Sequence, residues 1–109
     1  MFSKSHRFSF KKGAPRSIFQ TSFYSIRYAV KRENGLECAV VIGKKVDKRA
    51  TVRNRYKRLT TEVVKDLISL DTPYKIVLFV KKPILGSEVS AIKDDIKKGF
   101  ESIGIKTWI

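Results

Sequence analysis

Between Leu36 and Leu70 the chain reads LECAVVIGKKVDKRATVRNRYKRLTTEVVKDLISL, and the period of its apolar residues changes partway along. The opening LECAVVIGKK carries an apolar run that suits a well-covered strand. After Val46 the residues Val52, Tyr56, Leu59, Val63, Leu67 and Leu70 recur at spacings of three and four. At about 100° per residue these positions form one stripe of an amphipathic helix. Asn54, Lys57, Arg58, Thr61 and Lys65 point the opposite way, with Arg53 and Arg55 on the flanks. Asp47 or Thr51 is placed to cap the helix start, and Asp71-Thr72-Pro73 ends it, because proline biases the preceding residue away from helix.

Upstream, FYSIRYAV from Phe23 to Val30 sets Tyr24, Ile26, Tyr28 and Val30 at period two, which predicts a strand, and Ile18 and Phe19 begin a shorter one before it. The turn signal Glu33-Asn34-Gly35 then suggests that this strand and LECAVVIGKK form a hairpin. Downstream, YKIVLFV (Tyr74 to Val80) is a short strand bounded by Pro73 and Pro83. Ser87 is expected to cap a last helix with apolar positions Val89, Ile92, Ile96, Phe100 and Ile103, stopped at Gly104. About four strands and two helices predict an α+β two-layer sandwich, with both helical stripes on one face of a small sheet. Tyr24, Ile26 and Tyr28 share one strand face, either under the helices or exposed in a cleft. No repeat or linker divides residues 1–109, so a single domain is expected, with residues 1–15 as a loosely ordered basic arm.

The charge balance points to the partner. Twenty-four Lys and Arg against ten Asp and Glu give +14 on 109 residues, which attracts a polyanion through counterion release. Charge alone does not choose among DNA, RNA, an acidic membrane and heparin. The start MFSKSHRFSF has no apolar run of signal-peptide length, and no stretch approaches the roughly 20 apolar residues of a membrane span, so a cytoplasmic protein is expected. Cys38 and His6 are the only residues of their kinds, which rules out an internal disulfide, a zinc set and a nuclease built on a histidine pair. Asp66, Asp71, Glu88, Asp94 and Asp95 show no spacing that would converge on a metal, and Asp94 and Asp95 read as surface charges. No catalytic or metal-ligating residue is therefore expected, and Trp108 has no clear task.

The segment from Gly43 to Arg58 gathers Lys44, Lys45, Lys48, Arg49, Arg53, Arg55, Lys57 and Arg58, interrupted by one Asp. Arginine grips a phosphate through two parallel hydrogen bonds and lysine adds a flexible point charge, so the mixture on a helix suits a folded RNA backbone. Asn54 among them is suited to a base edge or a 2′-hydroxyl. A purely structural helix would be weakened by so much like charge with so few carboxylates to pair it.

Lys44-Lys45-Val46, then Ala50, then RNRYKR from Arg53 to Arg58 with Glu62 beyond, resembles the signature of bacterial ribonuclease P proteins. Phe10-Lys11-Lys12-Gly13 is similar to the family's F-K-x-G near the N-terminus. Thr51 stands where the family often has Val, and Thr61 where it has Arg before Glu62. The resemblance implies an αβββαβα plan, shared with the second domain of a small-subunit ribosomal protein and containing a left-handed βαβ crossover. It also implies a division of labour. An RNA subunit with bound Mg²⁺ cleaves the 5′ leader from precursor tRNA, and the protein binds that RNA and guides the leader along a cleft between helix and sheet. Neutralised phosphates near the cleavage site would let metal ions bind at lower bulk concentration. Lys44, Lys45, Lys48, Arg49, Arg53, Asn54, Arg55, Lys57 and Arg58 are then expected on the RNA, and Phe10, Lys11, Lys12 and Tyr28 on the leader. No protein partner is required. The alternatives are an RNA-binding or ribosomal protein of the same fold with no part in cleavage, and a self-sufficient nuclease.

Overall fold

A computed structural model describes residues 6–8 and 13–107. Four strands and two helices follow in order: β1 Ser17–Gln20, β2 Tyr24–Val30, β3 Glu37–Val41, α1 Ala50–Leu67, β4 Tyr74–Val80 and α2 Val89–Ile103. The sheet order is β1-β2-β4-β3. β1 pairs with β2, and β2 with β4, antiparallel, while β3 runs parallel to β4. β3, α1 and β4 thus form a βαβ unit, and the mixed four-stranded sheet with two helices is the two-layer α+β fold expected. The first helix of the family plan falls on a segment that lies mostly outside the described residues.

The hairpin expected between β2 and β3 does not form, because β4 lies between them. Ile76, Val77 and Leu78 are all fully buried, so β4 has apolar side chains covered on both faces and belongs in the sheet interior. The turn residues make a different connection from the one their composition suggests. Lys31 N–H donates to Pro73 O at 2.7 Å, Gly35 N–H to Asp71 O at 3.1 Å and Leu36 N–H to Leu70 O at 2.8 Å, which ties the β2–β3 connection to the lead-in of β4. Gly35 turns there at φ 117°, a conformation that side chains rarely allow.

Both helices pack on one face of the sheet. Tyr24, Ile26, Cys38, Val40, Ile76, Leu78 and Val80 meet Val63, Val64, Leu67, Ile92, Ile96 and Phe100 in one core. The α1 stripe is rotated from the one its spacing predicts: Thr60, Thr61 and Val64 are buried with Val63 and Leu67, while Leu70 lies beyond the helix end and is 41% exposed. Thr60 is tolerated inside because its Oγ1 lies 2.6 Å from the Tyr24 Oη. Thr61, expected on the polar face, satisfies its hydroxyl by donating to Lys57 O at 2.9 Å. Both expected helix caps are corrected. Arg49 and Glu88 occupy the N-cap positions with no side-chain cap, and the Ser87 hydroxyl instead donates to Pro83 O. Gly104 ends α2 in the left-handed conformation, φ 102°, as expected of a terminal glycine.

Asp95 is more than the surface charge its neighbours suggest. Its carboxylate accepts from Thr21 Oγ1 at 2.6 Å and from the N–H groups of Ser22 and Phe23 at 3.1 Å, anchoring the β1–β2 turn to α2. Close approach at that point depends on Gly99, where an added Cβ would lie 2.9 Å from Thr21 Cγ2 and 3.0 Å from Ile26 Cδ1.

Candidate nucleic-acid interface

Leaving β3, the chain turns at Gly43, where Val46 N–H donates to Gly43 O at 3.1 Å, and buries Val46 as an anchor. Lys44, Lys45, Lys48 and Arg49 are left exposed around that anchor. The first turns of α1 then add Asn54, Arg55 and Arg58, also exposed, with Arg53 and Lys57 half-buried. Among the described residues, the one ion pair involving any of these eight cations joins Arg49 to Asp47 at 3.1 Å. The Arg49 side chain and backbone N–H bonded to Asp47 hold its carboxyl below the ordinary carboxylate range. No acidic residue lies in the first turn of α1. The positive end of the helix dipole and the side-chain charges therefore reinforce each other, at a cost to the helix that a polyanion would offset.

Residues three and four apart on a helix share a side, and Arg53, Asn54, Lys57 and Thr61 face β3 along one arc of α1. Between this arc and β3 runs a groove of about 490 Å³, floored by Cys38, Ala39, Val40, Val41 and Ile42 and closed at its edge by Arg7 and Phe8. That volume falls within the roughly 300–1,000 Å³ typical of small-ligand sites. Residues 6–8 are pinned to the outer edge of β3: Phe8 N–H donates to Cys38 O at 3.2 Å, and His6 Nδ1 lies 2.9 Å from Leu36 O. One wall of the groove is thus cationic and amide-bearing, and its floor is apolar. Cys38 contributes only bulk there, since burial pushes its thiol pKa up and keeps it neutral. A second recess, on the α2 side of the same helix, is lined by Thr51, Asn54, Arg55, Arg58, Leu59, Glu62 and Val89. Asn54 borders both.

The residues expected on RNA therefore come together at the β3–α1 junction, although Arg53 spends part of its guanidinium internally, Nη1 donating to Asp47 O at 3.1 Å and Lys48 O at 2.9 Å. The residues expected on the leader are described only in part. Phe10, Lys11 and Lys12 lie outside the described residues, as does Trp108. Tyr28 sits on β2, separated from β3 by β4, and does not line the groove. Arg7, Phe8, Thr61 and the β3 residues take places in the lining that their local sequence did not suggest. The adjacent cation and aromatic of Arg7-Phe8 were visible, but their partner strand begins some thirty residues away.

Among the described residues no group of three or more His, Cys, Asp or Glu side chains converges. No helix in the described residues is long and apolar enough to cross a membrane.

Comparison with known proteins bears on the fold. The fold is similar to that of a Staphylococcus aureus RNase P protein, at TM-score 0.73 and 15% identity over 94% of this chain and 98% of that one. A mutant of an S. aureus RNase P protein, with defective mRNA degradation activity, superposes at TM-score 0.75 and 12% identity over 94% and 91%. The Thermotoga maritima RNase P protein matches at TM-score 0.69 and 16% identity, over 84% of this chain and 92% of that one. No curated protein matches the chain. Identities this low establish the fold alone. The sequence profile of the family described as Ribonuclease P, however, matches residues 2–104, a span that takes in every described strand and helix, and the chain belongs to the ribonuclease P protein family.

Proposed function

We propose that this chain is the non-catalytic protein subunit of a ribonuclease P, binding the catalytic RNA through the cationic β3–α1 junction and seating the single-stranded 5′ leader of precursor tRNA in the adjoining groove. The observation that carries this reading is that one helix supplies both surfaces. Arg55 and Arg58 line the outer recess of α1, Arg53, Lys57 and Thr61 line the groove against β3, and Asn54 borders both. Phosphates of a folded RNA suit the exposed outer cations, while an unpaired strand suits a groove with an apolar floor and a cationic wall. Hydrolysis itself belongs to the RNA subunit and its Mg²⁺. The chain contributes binding, register and positive potential.

The test is cleavage of precursor tRNA by a bacterial ribonuclease P RNA at limiting Mg²⁺, with and without the chain, on substrates with long and very short leaders. Stimulation that is greater for the long leader is the expected result. Equal stimulation for both leaders would remove the groove from the proposal, and none with a cognate RNA would reduce the chain to an RNA-binding protein with no part in cleavage. Cleavage by the chain alone would overturn the non-catalytic assignment.

A further inference from the structure

Asp47 is the single carboxylate between Lys44 and Arg58, and on a surface that binds phosphates a carboxylate works against the ligand. Its geometry suggests why it is there. Asp47 Oδ1 accepts the Arg49 N–H at 2.8 Å and the Arg49 Nε at 3.2 Å, while Oδ2 accepts the Arg49 Nη2 at 3.1 Å. The Asp47 side chain is only 12% exposed, whereas Arg49 is 73% exposed. From the other side, Arg53 Nη1 bonds the carbonyls of Asp47 and Lys48, and the Arg53 N–H closes the first turn of α1 on Arg49 O at 3.1 Å. Backbone and side chains of residues 47–49 are thus held from both ends, next to the anchor Val46.

We infer that Asp47, together with Arg49 and Arg53, is a positioning device that holds the β3–α1 connection in its RNA-binding shape, so that Lys44, Lys45 and Lys48 are presented as one array. This rests on the proposed RNA-binding role of the junction. A connection ordered in advance does not have to be ordered by the ligand, and the conformational entropy saved appears as affinity. Arg49 and Arg53 act here chiefly through the shape they maintain. Lys44, Lys45, Lys48, Arg55 and Arg58 are left as the direct phosphate contacts.

The sign of one substitution tests this. Asp47→Ala raises the net charge by one, from +14 to +15, so a purely electrostatic surface would bind RNA more tightly. The expected result is the reverse: full-length Asp47→Ala binds a bacterial ribonuclease P RNA roughly threefold or more weakly than wild type. The slope of log K against log salt should be unchanged, since no phosphate contact is removed. Asp47→Asn keeps an acceptor for the Arg49 N–H and should fall between the two, so the series remains readable if the alanine variant folds poorly. Asp94→Asn, the same charge change on the exposed face of α2, should bind at least as well as wild type. In a Lys44→Ala/Lys45→Ala/Lys48→Ala background, Asp47→Ala should cost little further. Tighter or unchanged binding by both Asp47 variants would overturn the inference, as would an undiminished effect in the triple background. A generic structured RNA of equal length, measured in parallel, separates the two readings. Wild type that shows no preference for the ribonuclease P RNA sinks the proposed function, while the ratio of variant to wild type on either RNA still judges the positioning device.

Discussion

Substituting Tyr24 by Phe removes one hydroxyl from a bond that joins the sheet to α1, the helix carrying the candidate interface. Tyr24 Oη and Thr60 Oγ1 lie 2.6 Å apart, and both residues are fully buried. Tyr24→Phe would leave the Thr60 hydroxyl without that partner in an apolar core, a loss of about 1–3 kcal/mol. With an unfolding entropy of roughly 2.1 cal/mol/K per residue over 109 residues, a loss of about 2 kcal/mol lowers Tm by about 9 °C. Thr60→Val leaves the tyrosine hydroxyl stranded and should cost a similar amount. The double variant Tyr24→Phe/Thr60→Val removes both partners together, and nearly all of the loss should return. Urea and thermal unfolding followed by circular dichroism measure all four corners of this cycle. If the two single losses simply add in the double variant, the two hydroxyls do not couple and their bond adds nothing of its own to stability.

Three further outcomes are expected. Burial, opposed by the Thr60 bond and assisted by the Asp95 charge, raises the Tyr24 pKa from 10.0 to about 12. The folded state therefore holds its phenolic proton more tightly than the unfolded state, a contribution of about 3 kcal/mol that is complete below about pH 10 and lost as pH rises through 12. Unfolding titrations of wild type and Tyr24→Phe at alkaline pH should show the wild-type advantage shrinking across that window, and a constant difference would contradict it. Gly99→Ala should destabilise by about 1 kcal/mol, because overpacking exceeds the gain in helix propensity. Thr21, tied to both Asp95 and the Tyr24 N–H, has little room to retreat. A rise in Tm would show that α2 can shift after all. Arg58→Ala should leave the melting curve intact and reduce the slope of log K for RNA against log salt by about 1, and an unchanged slope would take Arg58 off the phosphate backbone.

Much of the architecture is legible in local pattern, because local pattern reports which side of an element is dry. The period-two run of β2, the compact apolar run of β4 and the three-and-four spacing of α2 each correspond to an observed element. The α1 stripe was legible only in part. Hydropathy favours Leu70 over Thr60, whereas burial favours Thr60, whose hydroxyl finds a partner on a strand 36 residues away. Asn34-Gly35 signals a turn correctly but does not say which strands it brings together. Three backbone bonds to residues 70–73 direct the chain past β4 instead of back along β2.

The candidate interface divides along the same line. Charge and helical spacing are properties of a contiguous stretch, so a strongly basic chain, a cationic strand-to-helix junction and the residues Lys44 to Arg58 that make it were readable before any fold was known. Long-range packing put β4 between β2 and β3 in the sheet and brought Arg7 and Phe8 to the edge of a groove against β3. It also placed Tyr28 away from that groove, and it turned Arg53 and Asp47 inward to hold the junction. Those outcomes depend on which distant backbone and side-chain groups find partners once water is excluded, and no local periodicity carries that information.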